Sequence, residues 1–445
     1  MTLCRFEDRL AGEAKVLSGL RQRITACSSA ELPAAFAAIQ TAQRAGHWIA
    51  LMLDYELGEW FEPTLQPTAR ATQAAMPTPA GTAQTHPKPR SRLTALVFDS
   101  ATIEKPWSLS RLEKTEAEAE AEIETETETE AETEAEAETE TEAEAEAESA
   151  AATAASITSV TTSLAQADYF DRIHKIKEWI AQGEVYQINS TFALNITTQG
   201  SAQALYRRLA NQHPSAHATF IEDAEQTVLS FSPELFLQRH GTTLITRPMK
   251  GTAPRSNDPL EDQRLGQRLH ASAKDRAENL MIVDLLRNDL GRIAIPGSVK
   301  AEPLFSLEAY PSVWTMTSTV QATIAADTSL EKILRALFPC GSITGAPKIA
   351  AMKRIQQTEA QPRGLYCGSL GWLAPNGDFS LNVAIRTLLL KQDGSGLYHV
   401  GGGIVHDSIA ALEWDECHWK ARIVIDRPEL SQPQPHPNPE APRSE

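Results

Sequence analysis

From Glu116 to Glu148 every even-numbered residue is glutamate, 17 in all, with no basic residue among them. No regular element absorbs such a run. Its period of two imitates a strand, but glutamates along one sheet face repel their cross-strand neighbours. A helix sets the same charges at i and i+4, which is also unfavourable. Almost no apolar surface is present to offset the entropy of ordering, so the run is expected to be disordered, a tolerated loop expansion. Its 17 glutamates account for the whole formal net charge of −17. The remainder is near neutral and offers no electrostatic case for nucleic acid or an anionic membrane surface.

The 445 residues exceed one ordinary core, so two domains or one large double-layered domain is expected. In residues 1–112, apolar side chains recur at helical spacing over 31–40, and 48–53 and 93–98 read as buried strands. Residues 63–92, rich in Pro, Thr, Ala and Gln, read as an exposed loop, and 113–150 is the acidic insertion. Order resumes near Tyr169 with an amphipathic helix over 168–180 and an alternating strand over 185–194. Unbroken patterning makes 165–425 the expected catalytic domain, and Pro-rich 427–445 a disordered tail. Cys4, Cys27, Cys340, Cys367 and Cys417 are odd in number and widely spaced, which indicates neither a disulfide framework nor a zinc site. The charged first residues do not suit a signal peptide, and no apolar run approaches the roughly 18 residues of a membrane span. A reduced, cytoplasmic protein is expected.

Several stretches carry chemistry. A hairpin over 235–245 turns at Gly241 and leads into Thr246-Arg-Pro-Met-Lys250-Gly-Thr252, placing Lys250 where a strand gives way to a Gly-Thr turn. An amine there could anchor an anion, attack an electrophile once neutral, or simply be solvated. Asp275 with Glu278, and Glu413 with Glu416, are carboxylate pairs three residues apart on helical patterns, so each pair shares a face. Opposed, they would form a hard oxygen site suited to magnesium; alone, each is an ordinary first turn favoured by the helix dipole. The stretch Gly341-Ser-Ile-Thr344-Gly345-Ala346-Pro-Lys348 precedes a helical pattern and could present backbone amides to an anion, without the spacing of a phosphate-binding Walker loop. Gly401-Gly402-Gly403 follows a strand pattern, and either glycine-rich stretch in isolation reads as a tight turn. Arg386 is a charge inside the apolar strand pattern 381–390 and calls for an anionic partner.

Together these motifs resemble the chorismate-utilising enzymes: the anthranilate, aminodeoxychorismate, isochorismate and salicylate synthases. The carrying stretches are Gly183-Glu-Val-Tyr-Gln187-Ile-Asn189, Phe231-Ser-Pro-Glu234, Arg247-Pro-Met-Lys250-Gly-Thr252, 277–285, Arg287-Asn-Asp289, Gly341 to Lys348 and Gly401 to Gly403. They occur in one order. The resemblance is dense over 165–425 and looser before it. It implies an α+β fold of the anthranilate-synthase component I type, with two large, mainly antiparallel sheets packed together and helices outside. It further implies that Glu278 and Glu416 hold Mg2+, supported by Asp275 and Glu413. Thr252, Thr344, Gly345, Ala346, Tyr366, Arg386, Gly401, Gly402, Gly403 and Lys420 would bind chorismate.

Within that family two positions point to a branch. Members that add water carry a lysine base where this chain has Gln187, and an amide is not basic at neutral pH. Anthranilate synthases usually carry alanine where this chain has Lys250; the aminodeoxychorismate-forming branch carries lysine, in whose proposed mechanism it attacks the ring. Glu234, sixteen residues earlier across the hairpin, matches the acid that protonates the departing hydroxyl. Where relatives often have a histidine this chain has Thr315, and the usual arginine after Gly-Thr is Ala253. No glutaminase-type cysteine elbow is evident, so a separate glutamine amidotransferase subunit is the implied partner and source of ammonia. Anthranilate formation, or a non-catalytic chorismate-binding scaffold for the amidotransferase, are the alternatives.

Overall fold

The computed structural model describes residues 2–65, 90–108, 155–310 and 313–425. The acidic insertion, most of the loop expected at 63–92 and the C-terminal tail lie outside the described residues.

Among the described residues, seventeen strands join into one hydrogen-bonded ribbon whose pairings are antiparallel. One arm runs from the edge strand Ser156–Thr162 through Gln187–Gln199, Ser395–Ile404, Thr387–Leu390, Thr227–Ser232 and His217–Glu222 to Leu3–Asp8. The other runs from Leu93–Glu104 through Trp48–Leu53, Ser369–Leu373, Phe379–Asn382, Leu235–His240 and Thr243–Arg247 to Val320–Thr323. The long strand Glu13–Ala26 joins them, pairing with Leu3–Asp8 on one side and Leu93–Glu104 on the other.

Alternation along the strands explains how the arms pack. Ala50, Met52, Leu96, Phe98 and Leu370 of one arm cluster with Cys4, Phe6, Ile221 and Val228 of the other. The intervening residues Ile49, Leu51, Leu53, Leu93, Ala95 and Val97 face the larger core shared with the helices. Trp48–Leu53 is therefore covered on both faces, which is why it reads as an uninterrupted apolar run. Helix Leu32–Arg44 turns Leu32, Ala35, Phe36, Ile39 and Ala42 inward, and helix Gln166–Ala181 does so with Tyr169, Ile173, Ile176 and Trp179. The fold is thus α+β and antiparallel as expected, its two layers joined through hydrogen-bonded strands.

Three local expectations are corrected. Gly401 to Gly403 form no turn; they continue the strand Ser395–Ile404, opposite Thr191, Ser190 and Asn189. Arg386 is not within a strand. It sits at a break between Phe379–Asn382 and Thr387–Leu390, with φ of 51°. Lys250 is likewise not at a turn but inside the short strand Met249–Pro254, which with Val313–Thr317 and Ser306–Ala309 makes a separate three-stranded sheet. Gly251, at φ +83°, falls where the register slips between Met249 and Thr252, a bulge that a residue with a side chain would strain.

A buried ionic framework ties the arms together. Arg363 donates from Nε and Nη2 to Glu359 at 2.8 Å each, from Nη1 to the Ile343 carbonyl at 3.0 Å and from Nη2 to the Asn189 carbonyl at 2.6 Å. Its guanidinium lies over the Tyr55 ring, 4.5 Å from the centroid. Glu359 also accepts from the Thr191 amide and hydroxyl at 2.9 and 3.0 Å. Nearby, Glu56 accepts the amides of Arg363 at 2.6 Å and Gly364 at 3.0 Å. Burial pushes the Glu56 carboxyl up to about 7, with the charges of Asp54 and Glu59 adding to the effect.

Two outcomes follow from this framework. Arg363→Met strips Glu359 of its cation and should cost about 3–5 kcal/mol in urea denaturation, because an uncompensated carboxylate stays buried. Glu56 takes up a proton more readily folded than unfolded. Its stabilising contribution is full below the ordinary carboxylate range and is lost as pH rises through about 7. Glu56→Gln should remove a decline on the order of 3 kcal/mol across that window; parallel melting curves of variant and wild type from pH 4.5 to 8 would show no such effect.

Candidate active site

Helix Ala273–Gly291 starts at Ser272, whose hydroxyl accepts the Asp275 amide at 3.2 Å. From that capped start Asp275 and Glu278 share one half-buried face. The helix is anchored by Asn279, fully buried, which accepts from the Ser318 hydroxyl at 2.6 Å. Farther along, Asp289 meets Lys348 Nζ at 2.5 Å, fixing the loop Gly341 to Lys348 against the same helix. The loop fits closely there, since a Cβ on Gly341 would lie 2.4 Å from Leu285 Cδ2.

The second carboxylate pair lies on helix Ala410–Ala421. Glu413 accepts from Ser408 Oγ at 2.6 Å, and Glu416 from Lys420 Nζ at 2.7 Å. Lys420 also donates to the Gly401 carbonyl at 2.7 Å, so one ammonium joins this helix to the glycine strand. The strand lacks side chains there for a steric reason. A Cβ on Gly402 would stand 3.1 Å from Glu413 Oε2 and 4.0 Å from Glu416 Oε1.

The two pairs approach closely enough to interact. Burial pushes the Glu278 carboxyl up; Lys250 and Lys274 oppose this, while Asp275 and Glu416 reinforce it. Burial likewise raises Glu413, and Lys420 holds Glu416 below its ordinary value. Four hard carboxylates from two helices fit magnesium in donor chemistry. Among the described residues, however, no three His, Cys, Asp or Glu side chains stand grouped tightly enough to coordinate one ion.

Lys250 Nζ donates to the Ser342 carbonyl at 3.3 Å. The hairpin sets Leu235 opposite Arg247, which carries Glu234 back beside Met249 and Lys250. Glu234 is 5% exposed and its Oε1 has no hydrogen-bond partner among the described residues. Burial raises its carboxyl, against the pull of the Ser342 hydroxyl, the Lys250 charge and the Met249 backbone. Lys250 acts electrostatically on Glu234, Glu278 and Glu416 alike, so the amine is within electrostatic reach of the buried acid and of both carboxylate pairs.

The remaining sequence-predicted residues divide. Arg386 is half-buried, makes no side-chain hydrogen bond or ion pair among the described residues, and feels the charge of Glu234; burial lowers it from its ordinary value. Tyr366 is buried and stacked on His399 at 5.0 Å and 12°. Thr344 spends its hydroxyl on the Cys340 carbonyl at 2.7 Å, and Gly345 and Ala346 pair as a short strand with Ile188 and Gln187. Thr252 is exposed, opposite the buried Thr315, whose hydroxyl has no partner among the described residues. Ser342 and Lys274 were not singled out from the sequence. Lys274 stands directly before Asp275, a signal that could have found it; Ser342 is brought in by the loop alone. Gln187, read from the sequence only as a non-basic amide, has both amide atoms buried and without a partner among the described residues, with Nε2 2.5 Å from where a Gly403 Cβ would lie. A buried amide without partners beside a backbone cradle suits a bound polar ligand.

Comparison with known proteins bears on this arrangement. The aminodeoxychorismate synthase component 1 of Salmonella typhimurium LT2 is 39% identical over 264 residues, 59% of this chain and 58% of that protein. That of Klebsiella aerogenes is 41% identical over 263 residues, with the same shares. The anthranilate synthase component 1 of Streptomyces coelicolor is 38% identical over 266 residues, 60% of this chain and 52% of the relative. The chain thus spans somewhat over half the length of the relatives it matches. Among solved structures, anthranilate synthase component I from Streptococcus pneumoniae superposes with a TM-score of 0.64 at 24% identity, covering 85% of this chain and 80% of the other. The menaquinone-specific isochorismate synthase from Escherichia coli gives a TM-score of 0.65 at 17% identity over 95% and 88%; both likenesses concern the fold. The family model described as chorismate binding enzyme matches residues 6–426, and the chain belongs to that family.

Proposed function

We propose that this chain aminates chorismate to 4-amino-4-deoxychorismate, with ammonia from a separate glutamine amidotransferase subunit, towards 4-aminobenzoate and folate. The observation that carries the reading is Lys250, an amine within electrostatic reach of the buried Glu234 and of both carboxylate pairs, in a chain whose relatives include aminodeoxychorismate synthases. Arg386, Lys420 and the backbone of Gly401 to Gly403 are suited to the substrate's carboxylates. Glu278 and Glu416, with Asp275 and Glu413 in support, would hold magnesium, whose charge when bound neutralises the ring carboxylate and withdraws electrons from the ring.

The chemistry then rests on two side chains. Lys250, having given up its proton, attacks ring carbon 2 through Nζ, and the double-bond electrons shift to expel the carbon 4 hydroxyl. Glu234, whose carboxyl burial shifts towards its protonated form, gives its proton to that hydroxyl, which leaves as water. Ammonia next adds at carbon 4, the electrons return, and the bond to Nζ breaks, freeing the lysine. Cys340, next to the glycine-rich loop, does not suit glutamine hydrolysis: burial pushes its thiol up to about 12, far from a reactive thiolate. That favours an external source of ammonia, in keeping with the designation component 1 carried by the relatives.

Product analysis tests the reading. Purified protein with chorismate, magnesium and ammonium should yield aminodeoxychorismate by chromatography. Lys250→Ala should lose that product or move amination to carbon 2, giving anthranilate. Unchanged activity in Lys250→Ala rules out a nucleophilic lysine, and anthranilate from the wild type makes the chain an anthranilate synthase component. Binding of chorismate with magnesium but without turnover, read by calorimetry, would point to a scaffold.

The pH profile tests Glu234 separately. The acid works while protonated, so kcat should fall as pH rises through its raised value, and Glu234→Gln should lower kcat by about 10²–10⁴-fold.

A further inference from the structure

Apart from the residues assigned above, a cavity of about 80 Å³ opens beside the strand Gln187–Gln199, and Ser163, Leu164, Arg172, Thr191, Phe192 and His399 are among its lining. Its walls are unequal in charge. Arg363 and Glu359 both line it and neutralise each other through their paired hydrogen bonds. Arg172, on helix Gln166–Ala181, makes no ion pair among the described residues, although it feels the charges of Glu359 and Asp168; two arginines against one glutamate leave the lining one cation in excess. One of its N–H groups donates to the Thr191 carbonyl at 2.7 Å, and the other donors of its fork are left for something else. The cavity therefore carries one uncompensated positive charge. His399 is 7% exposed and its imidazole makes no hydrogen bond among the described residues, although a buried polar side chain normally finds a partner. Leu164, Ala193 and Ala360 add apolar groups to the lining.

We propose that this cavity binds a short-chain carboxylate. The carboxylate would take the planar fork of Arg172 and a ring N–H of His399, with its alkyl end against Leu164 and Ala193. A single negative charge matches the single excess cation. The volume has room for a small acid of about two to four carbons. A bare inorganic anion would leave the apolar groups without a partner. Binding would be felt in the candidate active site, because His399 is stacked on Tyr366 and Arg363 holds the Ile343 carbonyl of the loop Gly341 to Lys348. The cavity is thus a place for an effector, and its existence does not depend on which product the chain makes.

The test is calorimetric titration of the full chain with sodium acetate, sodium butyrate and, as the inorganic arm, sodium phosphate, all at one ionic strength. Arg386→Met is titrated in parallel to separate the cavity from the candidate substrate site. Saturable binding of acetate or butyrate at one site, kept in Arg386→Met and weakened at least tenfold in Arg172→Met, is the result expected. His399→Phe preserves an aromatic ring on Tyr366 while deleting the ring nitrogens, and should also weaken binding at least tenfold with its thermal melt unchanged. Equal affinity in wild type and Arg172→Met, loss of binding in Arg386→Met, binding of phosphate alone, or no saturable heat with any of the three would each overturn the proposal.

Discussion

One buried arginine holds the parts of this molecule in their relation to one another. Arg363 is 2% exposed, and its donors go to Glu359, to the Asn189 carbonyl on the strand Gln187–Gln199 and to the Ile343 carbonyl in the loop before Lys348. It also covers Tyr55, from the N-terminal part of the chain. An ion in such a place is tolerated only when charge and donors are both satisfied. That requirement sets the distance between loop and strand. Each element it touches then carries residues of the candidate site: Gln187, Thr344 to Ala346 and, through Thr191 and its pairing partner Gly401, the glycine strand.

The glycines show how close backbone approach becomes a binding feature. Gly402 and Gly403 run through an ordinary antiparallel ladder, yet a side chain at either would collide with Glu413 or with Gln187. Lys420 closes the arrangement by bonding Glu416 and the Gly401 carbonyl at once. The result is a strand with an open face, flanked by carboxylates, an unpartnered amide and the unpaired Arg386. Polar groups left in this state are costly unless a ligand completes them. Fold stability and ligand binding therefore pull against each other at this one strand.

Some of this was legible before any coordinates. The helices Leu32–Arg44 and Gln166–Ala181 have amphipathic stripes that the sequence displays, and Gly241 marks the hairpin turn directly. The strand Ser156–Thr162 was not legible. It is a threonine- and serine-rich edge strand with little buried surface, so it lacks the apolar alternation by which strands are recognised. Gly401 to Gly403 looked like a turn because three glycines in a row usually serve backbone freedom; here they serve close approach. Arg386 looked like a charge trapped in one strand because the break at Ile385 and Arg386 is flanked by apolar residues on both sides.

By itself the sequence determined the antiparallel α+β class and the family, and it named the candidate site residues, since these depend on residue types and their short-range order. It also placed Asp275 with Glu278 and Glu413 with Glu416, because three residues along a helix return to the same face. Only the tertiary structure decided that the two pairs come within reach of one another and of Lys250, which lie far apart along the chain. It alone showed Glu234 losing its water and Gln187 its partners. Desolvation is a property of everything packed around a group, and no local stretch of sequence contains it.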